Sequence, residues 1–177
     1  MRFVKIISIK QANRSNSRRH SLKLSSKDII TGGLIAEKFV AGEKFGFGCA
    51  GNNEIPIFWW RDVPTDTKEL AFTVFDPDAP TGCGFWHWIV INISPKATRL
   101  DAAPLQTAKQ LRNDFGTYEY GGPCPPAGDL PHRYLFNLYA LSDRIEATKD
   151  TPAAQIGFQL NFKTISKASV LGLYARD

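Results

Sequence analysis

The chain has 177 residues, 43% of them apolar and 22% charged, so a single core can fold it without metals or disulfides and global disorder is excluded. Its net charge of +5 is lopsided: residues 1–27 hold eight Lys or Arg and no acid, whereas the rest hold 14 basic and 17 acidic side chains. The body is mildly acidic, and no run of about 18 apolar residues offers a membrane span.

In chain order, Phe3–Ile9 is predicted as a short strand and residues 10–20 as a polar connector. Residues 1–20 read as a basic leader and residues 21–177 as one domain. The leader has no interleaved aromatics and no helical or finger motif, so nucleic acid is not an expected partner. Its apolar stretch, broken by Lys5 and Ser8, is too short for a secretory signal. From Ile29 onward, short β-rich runs alternate with Gly and Pro clusters. Strands are predicted at Ile57–Arg61, Leu70–Phe75, Trp86–Ile93, Tyr134–Leu141 and Ala168–Tyr174, all rich in Val, Ile or aromatic residues. Helices are predicted over Pro104–Arg112 and from Thr151-Pro152, taken as N-cap and first helical residue, to about Phe158. Short strands between tight turns imply an antiparallel sandwich instead of alternating strand–helix units.

Cys49, Cys83 and Cys124 are odd in number and match neither a disulfide framework nor a zinc pattern. A cytoplasmic protein without metal or cofactor is the expectation. The oligomeric state, a homodimer included, is left open.

Polar chemistry concentrates in two stiff loops. The first runs Asp76-Pro77-Asp78-Ala79-Pro80-Thr81-Gly82-Cys83-Gly84 into Phe85-Trp86-His87-Trp88. Its prolines fix φ and remove two backbone donors, and it brings two carboxylates and an imidazole together. The second runs from Gly121-Gly122-Pro123-Cys124-Pro125-Pro126 to Pro131-His132-Arg133-Tyr134. Strand alternation puts His132 and Tyr134 on one face with Arg133 opposite, and equally Trp86 with Trp88 and His87 opposite them.

These segments resemble the phosphatidylethanolamine-binding proteins, in their bacterial branch. The resemblance also rests on Phe58-Trp59-Trp60-Arg61-Asp62-Val63-Pro64, Asn113-Asp114-Phe115-Gly116 and Gly157–Lys163. It implies a mainly β, antiparallel Greek-key sandwich with a few short peripheral helices. It also implies a small anion pocket between the two loops, lined by Asp76, His132 and the Pro125–Pro126 backbone. Asp78 and His87 would lie near that pocket and Trp86 would support its wall. Tyr134 follows His132 on its face. Trp88 stands where animal members carry a second pocket histidine, and Asn53-Glu54-Ile55-Pro56 departs from the commoner Asn-x-Ser-Pro. Cys83 and Cys124 fall on the two pocket loops, where free thiols are the preferred state.

The implied function is non-enzymatic binding of a small anion, either a phosphate or a phospholipid headgroup, or of a phosphorylated ligand. Regulation of a protein partner such as a kinase or protease is compatible with it. The alternative is a hydrolase or lyase using Asp76 with His132 or His87. No Gly-x-Ser-x-Gly or His-Glu-x-x-His motif supports that alternative, and Cys124 is its one candidate nucleophile.

Overall fold

A computed structural model describes residues 21–177; the proposed Phe3–Ile9 strand and the rest of the leader lie outside the described residues. The fold is mainly β with few short helices. Its elements are β1 (Lys23–Ser26), β2 (Gly33–Leu34), β3 (Phe58–Arg61), β4 (Glu69–Asp76), β5 (Phe85–Ile93), β6 (Arg99–Leu100), α1 (Ala102–Thr107), β7 (Lys109–Gln110), β8 (His132–Leu141), α2 (Ala153–Lys163) and β9 (Thr164–Tyr174). A small sheet has the order β1-β3-β6, and a larger one β2-β9-β8-β4-β5-β7. The short β2 runs parallel to β9, an exception to the all-antiparallel expectation.

The central strand β4 is buried from Glu69 to Val74 because both its faces are covered. On one face Phe72 and Val74 meet Phe58 and Trp60 of β3 and Leu100 of β6, joined by Phe136 and Leu138 of β8. On the other face Ala71, with Ile89 and Ile91 of β5, packs beneath Ile156 and Leu160 of α2. Burying each of these large side chains contributes about 1.5–3 kcal/mol, so an apolar run covered on two sides fixes β4 as the centre.

The two helices differ from expectation for identifiable reasons. The first starts earlier and ends at Thr107, because Lys109 and Gln110 leave the helix to pair with Ile91 and Val90 of β5. The second continues to Lys163, and its N-cap is Pro152 instead of Thr151. The Thr151 hydroxyl is engaged one turn back, accepting the Thr148 amide at 2.9 Å. Among the described residues, no helix is long and apolar enough to cross a membrane.

Strand β5 carries the feature that shapes the site. Its pairing with β4 slips twice, once between Leu70 and Phe72 and once where Val74 faces Trp88 but Phe75 faces Trp86. His87 is the extra residue at the second slip, a β-bulge that breaks simple alternation. The expectation that Trp86 and Trp88 share a face, with His87 opposite, is therefore overturned. Trp86 stacks on Phe75 and packs against the α2 side of the sheet. Trp88 enters the other core against Phe72 and Tyr120. His87 turns toward Tyr134, Phe85 and Phe115.

Candidate ligand-binding site

Asp76 closes β4 at the point where Pro77 ends the strand. Its Oδ1 accepts the amides of Asp78 (2.8 Å) and Ala79 (3.1 Å), which locks the loop as an Asx-type turn. Its Oδ2 accepts the Nδ1–H of His132, the first residue of β8, at 2.8 Å. Both side chains are almost fully buried. On the far side of the ring, His132 Nε2 lies 3.4 Å from the Asp129 carboxylate, which is half exposed.

His87 reaches the same region from the bulge. Its Nδ1 meets the carbonyls of Gly121 (2.9 Å) and Gly122 (3.1 Å). Two carbonyls can only accept, so Nδ1 carries the proton and Nε2 keeps its lone pair. Burial pushes the ring down to about 4, against which those carbonyls and the Asp76 charge work only in part, so the ring is neutral at pH 7. The glycines it meets are required by close approach. A Cβ on Gly122 would come within 2.1 Å of the Phe39 carbonyl, and one on Gly121 within 2.3 Å of the Phe115 ring.

The motif at 113–116 explains how the bulge is held. The Asn113 amide donates to the carbonyls of His87 (3.2 Å) and Glu119 (2.7 Å). Asp114 accepts the Trp86 amide at 2.6 Å, and Phe115 turns its ring toward His87. Asn53, in the left-handed region at φ 54°, clamps the same loop by donating to the Tyr120 carbonyl and accepting the Gly122 amide, both at 2.8 Å.

Asp76, His87 and His132 open onto one cavity of about 340 Å³. Pro80, Pro125 and Pro126 form part of its wall, and Phe47, Phe85 and Phe115 an aromatic collar. The remaining sequence-predicted residues stand elsewhere. Asp78 turns away to Arg133, accepting its backbone amide at 2.8 Å and its guanidinium at 2.7 Å. That guanidinium holds the Asp78 carboxyl down to about 2. Asp78 thus fastens the first loop to β8. Trp86 lies on the opposite side of the sheet, in a groove beside α2, and not in the cavity wall. Trp88 is buried in the core with its indole N–H on Gln110 at 2.8 Å. Tyr134 is fully buried behind the His87 ring; burial first, and then the Asp76 charge, raises its phenol.

The disulfide, Arg176 and Phe47 were not anticipated. Cys124 is bonded to Cys49 and not free, while Cys83 is a free, exposed thiol. The pairing follows from packing: the Ala41 amide donates to the Pro123 carbonyl, so the second loop runs along residues 39–42 and meets Cys49. Arg176, beyond β9, also lines the cavity and donates to the carbonyls of Pro125 (2.7 Å), Gly48 (3.0 Å) and Phe47 (3.1 Å).

A family profile for phosphatidylethanolamine-binding protein matches residues 32–175, which takes in both loops and nearly every residue of this cavity. The chain belongs to the phosphatidylethanolamine-binding protein family. It is 41% identical over 163 residues to the UPF0098 protein YbcL of Escherichia coli, covering 87% of each chain. To the UPF0098 protein YbhB of the same organism it is 37% identical over 164 residues, covering 87% of this chain and all of that one. The crystal structure of E. coli YbcL, described as a new member of the mammalian family, matches with a TM-score of 0.82 at 40% identity, over 89% of this chain and 99% of that one. The homolog CT736 of Chlamydia trachomatis matches with a TM-score of 0.73 at 31% identity, over the same shares. The chain is thus a bacterial-type member of this family.

Proposed function

We propose that this protein is a non-enzymatic binder of a small phosphate-bearing ligand, held in the cavity between the two proline-rich loops. The observation that carries the proposal is the convergence of Asp76, His87 and His132, from three different strands, on one cavity of about 340 Å³ with aromatic and proline walls. That volume lies at the small end of ligand sites, which suits a headgroup or a phosphorylated side chain. The proline-rich loops are stiff before any ligand arrives, so little ordering entropy is lost on binding. A phosphorylated side chain of a kinase or protease partner fits the same chemistry, which is how a regulatory role would arise.

The Asp76–His132 hydrogen bond is the feature a hydrolase or lyase would use, since a catalytic base needs such an orienting partner. The same alternative loses its nucleophile, because Cys124 is held in a disulfide. We read the two sheets as the layers of a Greek-key sandwich, supported by the core they share. The Cys49–Cys124 bond weighs against the cytoplasmic setting, where thiols are kept reduced.

The test is a titration with inorganic phosphate and with O-phosphoethanolamine, following His and Trp side-chain NMR signals in wild type, Asp76→Asn and His132→Ala. Saturable shifts of His87 and His132, lost in both variants, are expected. Unmoved signals at millimolar ligand would refute the binding function.

A further inference from the structure

We infer that Arg176 is the residue that makes this cavity attractive to an anion, and that it selects a phosphate-class ligand through its guanidinium fork. The inference deepens the binding function proposed above and rests on it.

The donors and charges around the cavity leave few groups free to hold an anion. Two carboxylates lie close by: Asp76, and Asp129 against His132 Nε2. An anion would meet repulsion from both. His87 has no proton to offer, because its Nδ1–H is engaged by Gly121 and Gly122 and the ring is neutral at pH 7. The prolines of the wall, Pro80, Pro125 and Pro126, have no backbone N–H. The amide of Ala79 is taken by Asp76 Oδ1, and Thr81 donates its hydroxyl to the Gly84 carbonyl at 2.6 Å and its amide to Ala79. Of the lining side chains, what remains is Arg176 on one side and, on the other, His132 Nε2, which can donate only when the ring carries both protons because its Nδ1–H is held by Asp76.

Arg176 is suited to the task in three respects. It meets no carboxylate among the described residues, so its charge is not cancelled by an ion pair. Its Nε, Nη1 and Nη2 each donate one N–H to a carbonyl, which leaves one N–H on each terminal nitrogen, since a guanidinium carries five. Finally, those carbonyls belong to Phe47, Gly48 and Pro125, segments that the Cys49–Cys124 bond ties together. The fork is thereby fixed before a ligand arrives, and a fixed planar fork matches two oxygens of a phosphate better than a point charge does. Asp129, half exposed, occupies the position on His132 where a ligand oxygen would bind, and swings out on binding.

The test compares wild type, Arg176→Lys and Arg176→Gln, titrated with inorganic phosphate at constant ionic strength and read from the His87 and His132 NMR signals. Lysine keeps the charge and loses the three-carbonyl fork; glutamine loses the charge. Arg176→Gln is expected to weaken phosphate by about tenfold or more, and Arg176→Lys by about threefold. Equal losses in both variants would reduce Arg176 to a staple between loops and overturn the inference. So would unchanged binding in Arg176→Gln alongside loss in His132→Ala, although the pocket itself would stand. A wild type that ignores phosphate overturns the binding function and this inference together. If Arg176→Gln does not fold, Arg176→Lys decides alone: a loss of about threefold supports the inference, and unchanged binding or a loss of about tenfold refutes it.

Discussion

Strand β4 begins and ends on a buried acid, and its two ends could hardly be treated more differently. Asp76, at one end, accepts three hydrogen bonds, two from the turn that follows it and one from His132. Glu69, at the other, is buried with its Oε1 unpartnered. Burial pushes the Glu69 carboxyl up, despite the Asn92 and Ile145 backbone and the charges of Arg144 and Lys163. The Thr67 hydroxyl, two residues earlier, is also buried without a partner. At the Glu69 end the chain simply closes, with Lys68 donating to the Leu141 carbonyl and Ser142 to the Lys163 carbonyl. At the Asp76 end it opens into the cavity. The difference lies in the flanking turn, not the strand. Pro77 breaks the strand so that two amides double back onto the carboxylate, whereas the segment before Glu69 brings none. A buried acid whose own turn and a neighbouring histidine supply its donors is built into a site; one held by the distant Asn92 and Ile145 backbone, with an oxygen left over, is tolerated by the core.

The sharpest way to break this comparison is to remove each acid. Asp76→Ala strands His132 and two amides, with an expected cost of about 3–5 kcal/mol in urea unfolding. Glu69→Gln replaces a carboxyl already pushed toward its neutral form, and should change stability by less than about 1 kcal/mol. Equal costs would erase the distinction between the two ends.

Next in size is the disulfide, which belongs to the cavity end alone. Reducing Cys49–Cys124 should cost about 2–4 kcal/mol, or about 5–15 °C in Tm, read by calorimetry with and without reductant. A Cys83→Ser variant should keep the full effect of reductant, since that thiol is free.

His87 sharpens the comparison through pH. Its folded ring titrates at about 4, below the ordinary 6.5, so the unfolded chain binds a proton first as pH falls. Stability from this group is full above about pH 6.5, declines between 6.5 and 4, and levels off below; each tenfold loss of proton affinity on folding corresponds to about 1.4 kcal/mol. Tm should therefore fall from pH 7 to pH 5, and His87→Gln should flatten that slope. An unchanged slope would mean that His87 is not the buried neutral ring described. The smallest expected effect is at Asp78, whose pair with Arg133 is partly exposed: Asp78→Asn should cost about 1 kcal/mol or less.

The long strands of the larger sheet were legible because their Val, Ile and aromatic runs are buried on two faces, as Leu70–Val74 illustrates. Their ends were less so: β8 starts at His132 and β9 at Thr164, because cross-strand pairing extends polar residues into the ladder. Asp76, His87 and His132 were legible as residues flanking stiff loops, and the family resemblance related those loops to each other. The side of the sheet that Trp86 occupies was not legible, because a one-residue bulge has no mark in the local pattern, and it sends the next side chain to the other face. Arg176 and Phe47 gave no signal, since they reach the cavity only when distant segments close on each other. The Cys49–Cys124 pair, 75 residues apart, was hidden for the same reason. Phe115 lay within a recognised motif, but what its ring faces is a matter of tertiary packing.

The central claim is that the cavity holds a tetrahedral anion between His132 and Arg176. Crystals soaked in tungstate, a heavy analogue of phosphate, test it most directly through the anomalous map. One strong peak in the cavity, within hydrogen-bond reach of His132 Nε2 and the Arg176 guanidinium and accompanied by a displaced Asp129, is the expected result. A cavity without a peak, or peaks confined to surface lysines, would contradict the account.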